Sequence, residues 1–370
     1  MRVVVVHHAL EAAQGPDEQD VLVQAEVVRG ALEELGHHVK IISCTLNLQD
    51  LEQRLEACSP EAVFNLVESL NGKGRFIHLF PFLLDGMGLS YTGCPAEAIQ
   101  RTSNKINAKT LLAGWGFPTP QWIGPYPGGY GTVDVNPNRE NSSTTWIIKS
   151  LWEHASKGLD DNSLVRISSA EDLWHQMALR ADLLGGVCFG ERFVCGREFN
   201  LSLLGGAAGV QVLPPAEIIF QDYDPEKPKI VGYRAKWDVT SREYHYTLRR
   251  FTFRAKDAGL LRTMSDLAVG CWKAFGLSGY ARIDFRVDPS GRPWILEINT
   301  NPCLSPDGGF AAALMRAGWS LPQAIREILS EAVNRRHFVP VSLAGYFEAR
   351  PPACRPGNGG KQGASNSPHL

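Results

Sequence analysis

Two strands and a turn between Tyr280 and Cys303 (YARIDFRVDPSGRPWILEINTNPC) constrain this chain more than any other stretch. The alternation of apolar and polar residues predicts strands over Ala281–Val287 and Trp294–Asn299, joined by a turn of Pro, Ser and Gly. With Pro289 to Arg292 as the loop, Asp288 faces Pro293, Asp284 faces Glu297 and Arg282 faces Asn299. Period-two alternation then puts Arg282, Asp284, Glu297 and Asn299 on one face, and Ile283, Phe285, Leu296 and Ile298 on the other. Two carboxylates directly opposite across a ladder repel and weaken it unless something intervenes. Either Arg282 neutralises them on a solvent-facing strand, or a hard divalent cation sits between them. Mg²⁺ suits the second reading, because it takes one or two carboxylates, sometimes an amide oxygen, and phosphates.

The pattern RIDF…LEINTNP resembles the metal-binding hairpin of the ATP-grasp carboxylate–amine ligases, specifically the D-alanine–D-alanine ligase superfamily. The likeness runs from about Met1 to Ser330. It implies that Asp284, Glu297 and Asn299 hold Mg²⁺, with Mn²⁺ as an alternative, and that Arg282 stabilises charge at the reacting carbon.

The rest of the composition is compatible with such an enzyme. A length of 370 residues predicts two or three domains with ample core. A formal charge of -2 gives no long-range pull toward nucleic acid or anionic lipid. The cysteines at 44, 58, 94, 188, 195, 271, 303 and 354 form no CxxC pair and no zinc spacing, which suits reduced thiols in the cytoplasm. The opening MRVVVVHH reads as a buried strand rather than a signal peptide. The longest apolar run, Phe76 to Leu89, contains His78, Pro81 and Asp85 and is too short for a bilayer. The expectation is a cytoplasmic protein acting on small molecules, with no nucleic-acid or membrane partner and homodimerisation left open.

Along the chain, Arg2–Val6 reads as a parallel strand covered on both faces, Asp20 to Leu35 as a helix ending at Gly36, and Val39–Ile42 as the next strand. With Leu48–Ala57, Ala62–Val67 and Phe76–Met87, the first hundred residues form a doubly wound α/β unit built from right-handed crossovers. No GxGxxG follows the first strand and no Walker A sequence occurs, so a nucleotide must be held by another architecture. A helix is expected over Asn107–Trp115, a strand from Pro118, an exposed mobile loop over Gly124–Thr145, a long helix over Lys256–Phe275, and a last helix over Leu321–Val333. Asp222 to Thr247 reads as a polar loop, and from Pro340 the composition is too poor in apolar residues to fold.

The resemblance extends to an α/β fold in which two α+β subdomains sandwich ATP behind an N-terminal doubly wound domain. It sets residues 1–100 as that first domain, 101–190 as the central subdomain, 191–338 as the C-terminal subdomain with the metal site, and 339–370 as a disordered tail. Lys105 and Lys149 match the two lysines that reach the phosphates, and Ser156 and Gly158 lie in the loop that covers them. In the hinge, backbone groups near Glu191 and Val194 read the adenine edge, Phe193 supplies apolar contact and Glu198 accepts the ribose hydroxyls. Lys236 matches a catalytic lysine in the 222–247 segment, which closes over the substrates. His154 reads as a solvated loop residue rather than a base.

Departures cluster where the substrates bind. Ala155 replaces a serine and Trp237 a tyrosine that D-alanine–D-alanine ligases use together. Asp20 and Glu68 fall at the first substrate's ammonium end, Asp20 being one methylene shorter than the family's glutamate and Glu68 near a family histidine. Asp307, Gly308 and Gly309 replace the segment that clamps the second D-alanine's carboxylate, and a carboxylate beside Asp307 meets like charge. The expected activity is ATP-dependent, ADP-forming condensation of a small carboxylate, an amino acid foremost, with an amine other than D-alanine. The alternatives are an authentic D-alanine–D-alanine ligase and a non-catalytic nucleotide-binding regulator.

Overall fold

The run of valines that opens the chain becomes a strand covered on both faces. This computed structural model describes residues 1–10, 15–129 and 144–335. In β1 (Arg2–His8), Val3 to Val6 are fully buried. Next come α1 (Pro16–Glu34), β2 (His38–Cys44), α2 (Leu48–Cys58), β3 (Ala62–Leu66) and α3 (Leu79–Gly86). The strands pair in parallel in the order β2-β1-β3. Val3 and Val5 share a core with Val28 and Leu32 of α1, while Val4 and Val6 pack with Leu51 and Leu55 of α2. After α4 (Ala96–Ser103), the side chain of Asn104 accepts from the Asn107 amide and caps α5 (Lys105–Gly114), which fixes Lys105 in the first turn.

A second sheet is antiparallel: β4 (Trp122–Tyr126), β5 (Thr144–Ser150), β6 (Leu164–Ile167) and, after α6 (Ala170–Arg180), β7 (Cys188–Arg192), in the order β4-β7-β5-β6. The third sheet is also antiparallel. It comprises β8 (Arg197–Leu204), β9 (Gln211–Val212), β10 (Ala216–Phe220), β11 (Thr247–Arg250), β12 (Tyr280–Val287) and β13 (Pro293–Asn299). Its order is β11-β10-β8-β12-β13, with β9 beside β8, and α7 (Tyr233–Trp237) and α8 (Arg242–Tyr246) precede β11. Between β11 and β12, α9 (Ala258–Phe275) buries Met264, Ala268, Cys271 and Phe275 against Phe199, Leu201, Ile283 and Phe285, and stops at Gly276 in the left-handed conformation. After α10 (Gly309–Arg316), α11 (Leu321–Asn334) returns to the first sheet, where Ile325 and Ile328 enter the core of Val3 and Leu32.

The hairpin register holds where the acids lie and fails at the turn. Arg282 faces Asn299 and Asp284 faces Glu297, but Val287, not Asp288, faces Pro293. The loop is one residue longer than expected, and a bulge on β13 at Leu296 absorbs the difference. Leu296 therefore turns toward the cleft, while Ile295 takes the core position beside Phe285. The expected loop from Asp222 to Thr247 contains α7 and α8, and α4, α6 and α10 arise where no helix was read. Residues 130–143 of the expected mobile loop, and the expected tail, lie outside the described residues. No helix among the described residues is long and apolar enough to cross a membrane. Seven of the cysteines, from Cys44 to Cys303, are free thiols.

Candidate active site

A cleft of ≈ 460 Å³ lies between the second and third sheets and reaches Asp20 of α1 and Glu68 just after β3. Asp284 and Glu297 line its floor with Asn299 and Arg282. Arg282 grips Asp284 in bidentate fashion, Nε to Oδ1 at 2.7 Å and Nη2 to Oδ2 at 2.8 Å, and Asn200 adds a hydrogen bond to Oδ1 at 2.7 Å. The two acids are held differently. Burial pushes Glu297 up, but Lys105, Lys236, Lys149 and Arg282 outweigh it and hold Glu297 well below the usual carboxylate range. For Asp284, burial dominates over Arg282 and its carboxyl sits above the usual range.

These residues fit a hard cation. Two carboxylates and the Asn299 amide form an all-oxygen set of the kind Mg²⁺ shares with phosphates. Their cross-strand opposition leaves a like-charge repulsion that a cation relieves. No group of three or more His, Cys, Asp or Glu side chains converges as a metal cage among the described residues.

Cations surround that floor. The Lys105 ammonium is buried and donates to the Glu153 carbonyl at 2.7 Å. Lys149 lies at the end of β5 and pairs with Glu191 Oε1 at 2.6 Å. Lys236 lines the same cleft from α7, its ammonium pushed down by burial and by Arg282. Ile147, Ile218, Ile230 and Leu296 line the cleft as apolar wall, as do Phe193 and Val194. Leu296 reaches the cleft only because of the bulge, a feature that strict alternation conceals.

In the hinge, sequence reasoning missed Arg286. This buried side chain donates from Nε and Nη2 to Glu198 Oε2, at 3.1 and 2.7 Å, and from Nη1 to the Val194 carbonyl at 3.3 Å. It also lies 4.8 Å from the Phe193 ring centre. One Glu198 oxygen, Oε2, is thus committed to Arg286.

The cover loop is clamped to the 222–247 segment. Ala155 and Ser156 both adopt positive φ, 59° and 61°, a conformation that costs about 1–2 kcal/mol per residue for L-residues. The Trp237 indole donates to the Ala155 carbonyl at 2.9 Å and Ser156 Oγ to the Val231 carbonyl at 2.8 Å. Gly158 stands apart from the cleft. It packs against the Leu183 carbonyl, which a Cβ would meet at 2.7 Å, and lines a second cavity. His154 is not the solvated residue expected. It is half-buried in the cleft, and burial together with Lys105 pushes it down to about 4.

At the other end of the cleft, Asp20 accepts from Ser305 Oγ at 2.7 Å, Cys303 Sγ at 3.0 Å and Gln24 Nε2 at 3.1 Å. Gln24 also donates to Glu68 at 2.8 Å, joining the two acids. Burial pushes Glu68 up to about 7. Asp307, Gly308 and Gly309 all line the cleft, with the Asp307 side chain exposed. Arg249 of β11, which sequence reasoning missed, donates from Nη1 to the Asp307 carbonyl at 2.9 Å and lies against Gly309. A lone arginine in a polar strand carries no motif, so only the fold could place it.

Known proteins share this plan. Residues 164–330 match the family model described as D-ala D-ala ligase C-terminus. The chain is 30% identical over 319 residues to the uncharacterized protein y4sG of Sinorhizobium fredii (strain NBRC 101917 / NGR234), covering 85% of this chain and 88% of that one. It is 27% identical over 350 residues to a D-alanine–D-alanine ligase of Synechococcus sp. (strain JA-3-3Ab), covering 93% and 98%. Among solved structures, the D-alanine–D-alanine ligase from Bacillus anthracis complexed with ATP superposes with a TM-score of 0.67 at 16% identity, over 90% of this chain and 97% of that one. The D-alanine–D-alanine ligase from Coxiella burnetii gives 0.64 at 15% identity, over 91% and 96%. At those identities the structural likeness shows the fold, an α/β ATP-grasp architecture.

Proposed function

The chain belongs to the ATP-grasp D-alanine–D-alanine ligase superfamily, and we propose that it joins a small carboxylate, an amino acid foremost, to an amine through an acyl phosphate. Within that superfamily it is an ADP-forming ligase. The observation that carries the proposal is the convergence of Lys105, Lys149, Lys236 and Arg282 on the opposed acids Asp284 and Glu297 in one cleft.

ATP would lie with adenine against Ile147, Ile218, Ile230 and Leu296, and with its ribose against Glu198. Asp284, Glu297 and Asn299 would hold Mg²⁺, which supplies charge neutralisation of the phosphates when bound. Phosphoryl transfer needs positioning and electrostatics more than covalent help, and the three lysines supply positive charge around the transferring group. In the first step a substrate carboxylate oxygen bonds to the γ-phosphorus and the bond to ADP breaks. In the second, a deprotonated amine bonds to the carbonyl carbon and phosphate leaves with its oxygen. Arg282 stabilises the oxyanion between these events. The clamp between Ala155 and Trp237 shields the acyl phosphate from water.

For the acceptor, Arg249 favours the second reading, an authentic D-alanine–D-alanine ligase, more than the sequence does. Its guanidinium stands beside Asp307 and offsets the like charge that argues against an acceptor carboxylate. The deciding assay offers D-alanine alone, with ATP and Mg²⁺, and looks for dipeptide by mass spectrometry. Efficient D-alanyl-D-alanine synthesis at sub-millimolar substrate establishes the second reading. Its absence, with ADP released for another acid–amine pair, establishes the first.

A further inference from the structure

Behind the cleft, one carboxylate is shared by two ammonium groups. Glu191 Oε1 pairs with Lys149, which lines the cleft, and Glu191 Oε2 pairs with Lys109, which does not. Lys109 is 1% exposed, one turn along α5 from Lys105. Its ammonium also donates to Thr119 Oγ1 at 2.9 Å, and that hydroxyl donates to the Ile295 carbonyl at 2.9 Å. The lysine is thereby fixed between the hinge strand β7 and the metal-acid strand β13.

Charge balance gives this burial a consequence. Lys149 and Glu191 alone form a neutral pair, which offers a polyphosphate only a dipole. With Lys109 the cluster carries a net positive charge, and of its two lysines only Lys149 lines the cleft, beside Glu191. Sealing an ammonium in the interior is costly unless it is paired, and here Glu191 and Thr119 pair it.

We propose that Lys109 is a positioning residue for the nucleotide, neutralising Glu191 from the side away from the cleft so that Lys149 presents an uncompensated charge to the phosphates. The inference rests on the nucleotide reading above, in which the hinge offers adenine the Glu191 backbone and not its carboxylate. Lys109 touches neither nucleotide nor reacting atoms.

The test compares dissociation constants for ATP and adenosine, measured by calorimetry on the full chain. A purely structural Lys109 would affect both ligands alike, or neither. On this account Lys109→Met weakens ATP by about 10- to 100-fold, the effect of one charge a few ångströms from a polyanion, and leaves adenosine within about threefold. Lys109→Arg keeps the preference for ATP. The double variant Lys109→Met with Glu191→Gln removes the carboxylate that Lys109 neutralises, and restores ATP binding to within about tenfold of the wild type. That double variant buries no charge at either position, so it carries the test alone should the single variant not fold. An unchanged ATP-to-adenosine ratio in Lys109→Met, or a double variant that has lost the preference, overturns the proposal. A wild-type chain that does not prefer ATP to adenosine overturns the nucleotide reading and this inference with it.

Discussion

The indole Nε1–H of Trp237 donates to the backbone carbonyl of Ala155 at 2.9 Å. From the sequence, these two residues read as two separate losses, a missing serine hydroxyl and a missing tyrosine hydroxyl. The fold shows one substitution of means, because an indole reaching a carbonyl needs no hydroxyl on the cover loop. We predict that Trp237→Phe, which removes a neutral hydrogen bond of about 1 kcal/mol, barely changes the melting temperature but uncouples the reaction. ADP should form in several-fold excess over amide product. A ratio of one ADP per amide in the variant would show that the contact does not protect the intermediate.

The two floor acids should separate when each is neutralised. Glu297→Gln and Asp284→Asn both abolish Mg²⁺-dependent ADP formation, by more than about 100-fold if the cation is needed for phosphoryl transfer. Their stabilities differ. Glu297→Gln takes away the anion that Lys105, Lys236, Lys149 and Arg282 hold ionised and is the more costly, whereas Asp284→Asn loses the bidentate partner of Arg282 but also relieves a carboxylate that burial disfavours. Thermal melts without metal give the ordering, and Mn²⁺ binding followed by paramagnetic resonance gives the ligand role. Near-wild-type turnover in either variant removes that acid from the metal site.

Glu68 makes stability depend on pH in a stated direction. Its carboxyl is raised from 4.5 to about 7 by burial, so the folded chain retains a proton that the unfolded chain releases. The contribution is intact below the unfolded value and is lost as pH rises through about 7, a swing of about 3–4 kcal/mol at 1.36 kcal/mol per unit. Glu68→Gln keeps an acceptor for Gln24. It should match the wild type near pH 4.5 and exceed it in stability at pH 8. Equal denaturant midpoints at both pH values would place the Glu68 titration elsewhere.

Arg249 should matter for the acceptor alone. Arg249→Ala is expected to raise KM for an amino-acid acceptor about tenfold, the loss of about 1.4 kcal/mol of ion pairing, with KM for ATP unchanged. The same acceptor offered as its amide should be insensitive to the substitution. A variant that affects ATP and acceptor equally shows that the corner around Asp307 and Gly309 is not the acceptor end.

Legibility in the sequence followed the density of local pattern. The metal-acid hairpin was readable because alternation and two opposed acids lie within one short stretch, and the first β-α-β unit because continuous β-branched residues mark a covered strand. The hairpin register came out right at Asp284 and Glu297 despite a wrong loop length, since the bulge at Leu296 shifts the pairing back by one. The same bulge put Leu296 on the wrong face. Lys109, Arg249 and Arg286 were missed for one physical reason: each gains its meaning from a partner distant in sequence or across a strand, and a single charged residue announces neither. His154 was misread because loop position suggests solvent, while Lys105 and the cleft walls enclose it. The helices α7 and α8 were hidden by turn-rich composition that short, capped segments share with loops.

The most direct measurement of the central claim follows oxygen. A panel of amino acids with ¹⁸O in the carboxylate is incubated with ATP, Mg²⁺ and candidate amines, and phosphate and condensation product are read by mass spectrometry. An acyl phosphate predicts one ¹⁸O transferred into each released phosphate, in step with ADP and amide, for at least one acid–amine pair. ADP released with unlabelled phosphate and no amide, or no ADP with any pair, would contradict it.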